Sequence, residues 1–159
     1  MSRGENGTSP GRDTRMIGEL LRNPNAARVR AVERGFAAAG HSAIRPPHLP
    51  IFEYIDREHG SRTSYLARHA NITAQAMGEL VNHLVLHGYV ERAPDPSDGR
   101  ARLVRLTDRG QEAYRLAARL VTDLEASWAA GLGETRMAEL KHLLADLWDV
   151  IQSDPREGA

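Results

Sequence analysis

Gln75 and Asn82 carry side-chain amides that donate and accept at once, the pattern that matches the edge of an adenine at about 1–3 kcal/mol of discrimination for each good bidentate pair. Asn82 serves in this way only if it reaches far enough. Further along, Arg100 and Arg102 combine charge with a rigid guanidinium, the group that fits a narrow, electronegative A·T-rich minor groove. Thr73 stands at the expected N-terminus of a helix, where free backbone N–H groups and the helix dipole favour an anion such as a phosphate. Arg62, shortly before it, is a candidate phosphate clamp. Glu79 either accepts from a cytosine amine or repels phosphates and so enforces selectivity. This is the chemistry of gripping and reading a nucleic acid. Asp95 and Asp98 would be the acidic pair of a catalyst, but each has a local duty in turn formation or arginine pairing.

The elements that would hold these side chains can be read from period and punctuation. Thr73 caps a helix in which Met77, Leu80, Val81 and Leu84 recur at i, i+3, i+4 and i+7, which forces Ala74, Gln75, Gly78, Glu79 and Asn82 onto the opposite face. A shorter helix precedes it, capped by Ser61 or Thr63, with Tyr65, Leu66 and Ala70 on its apolar side. Asn71 stands where the tight turn between the two wants a left-handed residue. Two helices so joined form a helix-turn-helix. Tyr89 to Arg92 and Arg102 to Leu106 read as two short strands, with Val90, then Leu103 or Val104, and Leu106 available to a core, and with turn chemistry from Pro94 to Arg100 between them. A hairpin with an arginine-bearing tip, attached to a helix-turn-helix, is a winged helix.

Long helices flank this unit. Ile17, Leu20 and Leu21 share a face, Asn23-Pro24 reads as a cap followed by a restart, and Val29, Val32 and Phe36 continue the stripe to a stop at Gly40. Pro46 and Pro47 are expected to fix an extended linker before a short helix bearing Leu49, Phe52 and Ile55, in which Pro50 is tolerable only in the first turn. Thr107 caps a helix lined by Ala113, Leu116, Ala117, Leu120, Leu124 and Trp128. Gly131 to Gly133 interrupts it, and a last helix follows through Leu140, Leu143, Leu144, Leu147 and Ile151. These terminal helices are too apolar on one side for a solitary domain of 159 residues. They invite a partner, most simply a second copy.

Composition bounds the function. The net charge is zero, yet the charges are segregated: residues 1–45 carry +4 and residues 100–109 carry +3, while residues 123–159 carry −5, so one side can meet phosphate in a neutral molecule. The absence of cysteine excludes disulfides, thiolate metal sites, cysteine nucleophiles and cysteine-based redox sensing. No run is long and apolar enough to span a membrane, and Met1 to Arg15 has no apolar core of a secretion signal, so a cytoplasmic location without membrane partners is expected. Residues 1–13, rich in Gly, Ser, Pro, Asn and charge, are expected to be disordered.

No phosphate-binding glycine loop, metalloprotease pattern or nucleophile elbow occurs. The chain therefore reads as a non-enzyme, with no cofactor expected. His83 and His87 stand at i, i+4 and could share a metal, which makes a metal-responsive regulator one alternative. A winged-helix module for protein contacts, without sequence-specific DNA binding, is the other.

The order of elements, with a wing running Asp95-Pro96-Ser97-Asp98-Gly99-Arg100 and then Leu106-Thr107-Asp108-Arg109-Gly110, resembles the MarR family of bacterial transcription regulators. The likeness runs from about Ile17 to Ile151. It implies a mainly α fold with a small β-hairpin wing, in one domain over residues 14–159. The winged helix-turn-helix would occupy residues 48–106, and dimerisation helices residues 14–40 and 107–152. It further implies a homodimeric repressor on a pseudo-palindromic duplex operator, released by a small aromatic effector held between the dimerisation and DNA-binding parts, near Pro46, His48 and Phe52. In this reading Gln75 and its outer-face neighbours meet base edges, Arg100 enters the minor groove, and Asp98 holds that arginine in position. Gly78 and Glu79 stand where many relatives have a hydroxyl and a base, which makes the middle of this helix less cationic than the family pattern.

Overall fold

The computed structural model describes residues 15–153; the tail expected at residues 1–13 lies outside the described residues. Six α-helices and a three-stranded sheet follow in the order α1 (Ile17–Ala38), α2 (Leu49–Tyr54), β1 (Ser61–Arg62), α3 (Thr63–His69), α4 (Ala74–Leu86), β2 (Val90–Asp95), β3 (Asp98–Leu106), α5 (Asp108–Leu132) and α6 (Glu134–Gln152). The sheet is antiparallel with strand order β1-β3-β2. Among the described residues no helix is long and apolar enough to cross a membrane. The architecture is the mainly helical winged helix read from the sequence.

One core joins the two parts. Val32 and Phe36 of α1 pack with Ile51 and Phe52 of α2, Leu66 of α3, Met77, Val81 and Leu84 of α4, Val104 of β3 and Ala113 of α5. The period that picked out Met77, Val81 and Leu84 is therefore a burial period, and it turns Ala74, Gln75, Glu79 and Asn82 to solvent. Three of the helices end alike. After α1, α3 and α4 the chain enters the left-handed region at Gly40, Asn71 and Gly88 (φ 82°, 53° and 72°). The next N–H then reaches back to the helix: His41 to Phe36 O (2.8 Å), Ile72 to Ala67 O (3.0 Å) and Tyr89 to Leu84 O (2.9 Å). Each reversal satisfies carbonyls that the helix end would leave open.

Several local expectations are corrected. Asn23-Pro24 does not restart the first helix: α1 runs through Pro24, whose exposed position leaves the carbonyl it deprives of a donor open to water. Pro46 and Pro47 open a 3-10 turn, Pro46–His48, rather than an extended linker. Only Arg45 before them is extended, as a residue preceding proline should be. Neither Ser61 nor Thr63 caps α3 by its side chain; the cap position is Arg62. Ser61 and Arg62 instead form β1, in register with Val104 and Leu103, and the Ser61 hydroxyl accepts from the Asp56 N–H at 2.9 Å. Tyr65 is exposed, while its neighbours Leu66 and Ala67 take the buried side of α3. The wing strands are longer than expected, and the turn shrinks to Pro96 and Ser97. Pro94 is accommodated because β2 is an edge strand with an irregularity at Pro94/Asp95.

The seam between wing and α5 is tight. Thr107 accepts from the Gly110 N–H (3.1 Å) and donates its hydroxyl to Gly88 O (2.7 Å). A β-carbon at Gly110 would run into the Tyr89 carbonyl oxygen. Gly110→Ala, which would gain up to about 1 kcal/mol in an open helix, is expected here to destabilise by about 2 kcal/mol or more, read as a lowered midpoint in urea denaturation.

Candidate nucleic-acid interface and effector cavity

The helix expected to read bases begins at Thr73, whose hydroxyl accepts from the Ala76 N–H at 3.1 Å. Such a cap fixes the first turn and leaves the earliest N–H groups of the helix facing out. From this turn Gln75 projects into solvent, with its amide 3.4 Å from Glu79 Oε1 along the outer face. Gly78 lies between them without a neighbour close to its missing β-carbon. Asn82 is not free in the same way: its carbonyl oxygen accepts from the Arg92 guanidinium at 2.9 Å. The bond ties α4 to strand β2. Arg92 was missed in the sequence, where it appeared only as the last residue of a strand.

The arginines divide into two groups. Arg105 donates to His59 O (3.0 Å), and Arg109 donates to His87 O (2.9 Å) while lying 4.4 Å over the Tyr89 ring. Both fasten loops. Arg62 is also committed: its guanidinium meets Asp95 Oδ2 through Nε (2.8 Å) and Nη2 (2.6 Å), with Asp98 Oδ2 at 3.5 Å. It joins β1 to the wing tip. Arg100 and Arg102 are exposed, and their guanidinium groups have no partner among the described residues.

The aspartates explain how the tip keeps its shape. Asp95 accepts from the Ser97 N–H (2.9 Å) and hydroxyl (2.6 Å). These bonds, followed by the one from Arg62, hold its carboxyl down to about 2. Its contribution to stability is present above the ordinary carboxylate range and is lost as pH falls toward that value. Asp98 accepts from the backbone N–H of Arg100 at 3.1 Å. The expected hold of Asp98 on Arg100 is thus on the main chain and leaves the guanidinium free.

The proposed effector residues separate. A cavity of about 250 Å³ lies between α1, α2 and α5, with Phe52, Tyr114 and Val121 among its walls and Arg28 and Glu53 at its rim. Of Pro46, His48 and Phe52, only Phe52 lines it. His48 is buried, accepts from the Arg45 N–H at 3.0 Å and stacks on His83 at 4.6 Å between centroids. His83 bonds Ala43 O (3.0 Å) and His87 bonds His83 O (2.9 Å), so the i, i+4 pair has one ring nitrogen each engaged with backbone. Among the described residues no group of three or more His, Asp or Glu could hold a metal ion. Arg28, Glu53 and Tyr114 gave no signal in the sequence, because cavity walls come from three separate helices.

The sequence model of the MarR family matches residues 44–101. The HTH-type transcriptional repressor Rv2887 of Mycobacterium tuberculosis is 31% identical over 122 residues, which cover 76% of this chain and 88% of the relative. The chain belongs to the MarR family. The crystal structure of Rv2887 with salicylic acid superposes with a TM-score of 0.64 at 28% identity, covering 85% of this chain and 98% of that one. Escherichia coli MarR in its apo form matches with a TM-score of 0.68 at 24% identity, over 84% of this chain and 97% of that one. The repressor CouR, solved with a 23-mer DNA duplex, matches at 0.68 and 21% identity, over 83% and 92%. The last two are likenesses of fold. MarR proteins are transcriptional regulators rather than enzymes, and the winged helix described above is the MarR fold.

The buried histidine supplies a test of this packing. Burial, and then the neighbouring His83, push His48 from 6.5 down to about 4. An unfolded His48 takes up its proton as pH falls below 6.5, while the folded one stays neutral until about 4, so stability is present above that window and declines through it. The loss is expected to reach on the order of 3 kcal/mol at the acid end. His48→Asn, which keeps an acceptor for the Arg45 N–H, should flatten the decline in melting temperature between these pH values.

Proposed function

We propose that this MarR-family chain is a homodimeric repressor that binds a pseudo-palindromic DNA operator and leaves it when a small aromatic effector binds. The observation that carries the reading is the pairing of an exposed base-reading face on α4 with a wing tip whose two guanidinium groups, Arg100 and Arg102, are unpartnered among the described residues. Gln75 is the base reader, since Asn82 is held by Arg92. Thr73 and Ala74 set the helix N-terminus against a phosphate. Gly78 brings the backbone close to the groove, and Glu79 filters the bases that can be accepted. Asp98 shapes the tip from which Arg100 enters the minor groove. Rv2887, a named transcriptional repressor, and CouR, solved on duplex DNA, support this direction.

A dimer is supported by the terminal helices. Leu140, Leu144, Leu147 and Ile151 of α6 are exposed (43%, 38%, 37% and 37%) and recur at i, i+4, i+7 and i+11, a stripe that a second copy would cover. Two-fold symmetry then sets the half-sites about 10 bp apart, so that both copies of α4 face one side of the duplex. The effector reading rests on the cavity between α1, α2 and α5. Its volume of about 250 Å³ falls just below the range of about 300–1,000 Å³ typical of drug-sized ligands. A one-ring molecule suits it, and Rv2887 has been solved with salicylic acid.

The test uses labelled duplex from upstream of the protein's own gene, titrated at several salt concentrations against scrambled duplex. Gln75→Ala should cost about 1–3 kcal/mol of discrimination at one base pair per half-site and little on scrambled DNA. Arg100→Ala should weaken binding to all duplexes and reduce the salt slope by about one unit per subunit. Equal losses on every sequence for Gln75→Ala would contradict base reading, and binding indifferent to salt would contradict phosphate contacts altogether.

A further inference from the structure

Arg92 stands where the base-reading helix and the wing meet. It lies on β2 opposite Val104 of β3, and β2 packs against α4. Its guanidinium donates through Nη2 to Asn82 Oδ1 at 2.9 Å. Both residues are exposed, so the bond lies on the surface that α4 offers to a duplex. It also fixes which way the Asn82 amide points. A guanidinium has donors and no acceptor, so the amide atom facing it is the oxygen, and the outward atom is Nδ2 with its two hydrogens. Nδ2 has no hydrogen-bond partner among the described residues. We propose that Arg92 is a specificity-determining residue that acts through Asn82: it makes this end of the reading face a donor-only surface, which selects guanine on the major-groove edge of each half-site. The inference adds a second reader to Gln75 and rests on the base-reading role of α4 proposed above.

An unrestrained asparagine offers an oxygen and an N–H side by side and suits adenine, whose N7 accepts and whose N6 donates. With its oxygen occupied, Asn82 no longer makes that pair. Turning the amide over would set its hydrogens against those of Arg92, so the charge-assisted bond resists the flip as well as filling the acceptor. Guanine presents two acceptors, N7 and O6, to such a donor. Adenine would place its N6 hydrogens against those of Asn82, cytosine offers only its N4 hydrogens, and thymine has a single acceptor beside a methyl group. The remaining N–H groups of Arg92 add donors next to Asn82 and strengthen the same choice.

Helix geometry gives the place of this base. Asn82 follows Gln75 by seven residues, which returns it to the same stripe of α4 about two turns further on, roughly 10 Å along the axis. For a helix lying along the groove, at about 3.4 Å per base pair, the separation is about three base pairs. Glu79 lies between the two, with Oε1 3.4 Å from the Gln75 amide nitrogen. One end of the stripe therefore carries acceptors, Gln75 Oε1 and the Glu79 carboxylate, and suits a base with an exocyclic amine, adenine or cytosine. The other end carries donors and suits guanine.

The full-length protein is used to select duplexes from a random library, and the enriched site is then varied one base pair at a time in anisotropy titrations. The wild type should enrich half-sites with guanine about three base pairs from an adenine or cytosine. It should lose about tenfold in affinity when that guanine becomes adenine. In Arg92→Ala the amide of Asn82 can present either atom, and adenine should be accepted as well as guanine. Arg92→Lys, which keeps a donor for Asn82 Oδ1, should restore the preference, and Asn82→Ala should lose it. A guanine preference that persists in Asn82→Ala would mean that Arg92 reads the base itself, and overturns its action through Asn82. A uniform loss on every sequence in Arg92→Ala, with the guanine preference intact, would make Arg92 a phosphate contact alone and overturns the proposal. A wild type that enriches no guanine at that spacing, while Gln75→Ala still relaxes one base pair, overturns the donor surface and leaves base reading by α4 standing. Failure to enrich any sequence would instead remove the base-reading role on which the inference stands. If Arg92→Ala melts at a lower temperature than the wild type, Arg92→Met, which keeps an aliphatic stem and withdraws the donors, carries the comparison.

Discussion

Tyr89 ties the ends of α1 and α4 to the root of the wing and the first turn of α5. Its N–H closes the end of α4 on Leu84 O, and its carbonyl accepts from the Thr107 N–H (2.9 and 3.1 Å). Its hydroxyl meets His41 Nδ1, just past α1, at 3.1 Å, and its ring lies under Arg109 of α5. One fully buried residue therefore touches the ends of α1 and α4, the root of the wing and the first turn of α5. Gly110 is required by the same crowding, since only a residue without a side chain lets α5 start against the Tyr89 carbonyl. Dense packing of this kind leaves α1, α4, the wing root and α5 little freedom to move independently at this point.

Electrostatics are organised by subtraction. Residues 100–109 carry four arginines, but Arg105 and Arg109 are spent on backbone carbonyls. Arg62 is neutralised by Asp95 and Asp98, and Arg92 is bonded to Asn82. Of these arginines, Arg100 and Arg102 at the edge of the wing are the ones whose guanidinium groups have no partner among the described residues. The wing tip thus carries free cationic charge, while the outer face of α4 carries Glu79.

Period and punctuation made the winged helix legible in the sequence: the buried stripe of α4, the caps at Thr73 and Thr107, and the reversals at Gly40 and Asn71 were local signals with local causes. The misreadings share a different origin. β1 is two residues long and exists only because β3 lies beside it, and α1 passes through Pro24 without a break. The pairing of Arg62 with Asp95 left no local signal, because the two lie far apart along the chain. Phe52 was found and Arg28, Glu53 and Tyr114 were not, for the same reason: a cavity is a property of how helices pack, and no single segment records it.

The Arg62–Asp95 bridge also bears on why the wing can be both exposed and ordered. A hairpin projecting from an edge would ordinarily fray, since a two-stranded ribbon is marginal alone. Here β3 is the central strand, with β1 on one side and β2 on the other, and the ion pair closes the sheet at the far end where backbone pairing becomes irregular. Asp95 is buried at 7% exposure although its neighbours at the tip are open. Its two oxygens divide the work: Oδ1 takes the N–H and hydroxyl of Ser97 and fixes the turn, while Oδ2 takes Arg62 and fixes the turn to the body. A free guanidinium at Arg100 is useful only if the tip that carries it does not wander, because ordering the tip at the moment of binding would consume part of the contact energy. The carboxylates that lower the positive charge of the wing thus hold its remaining arginines in place.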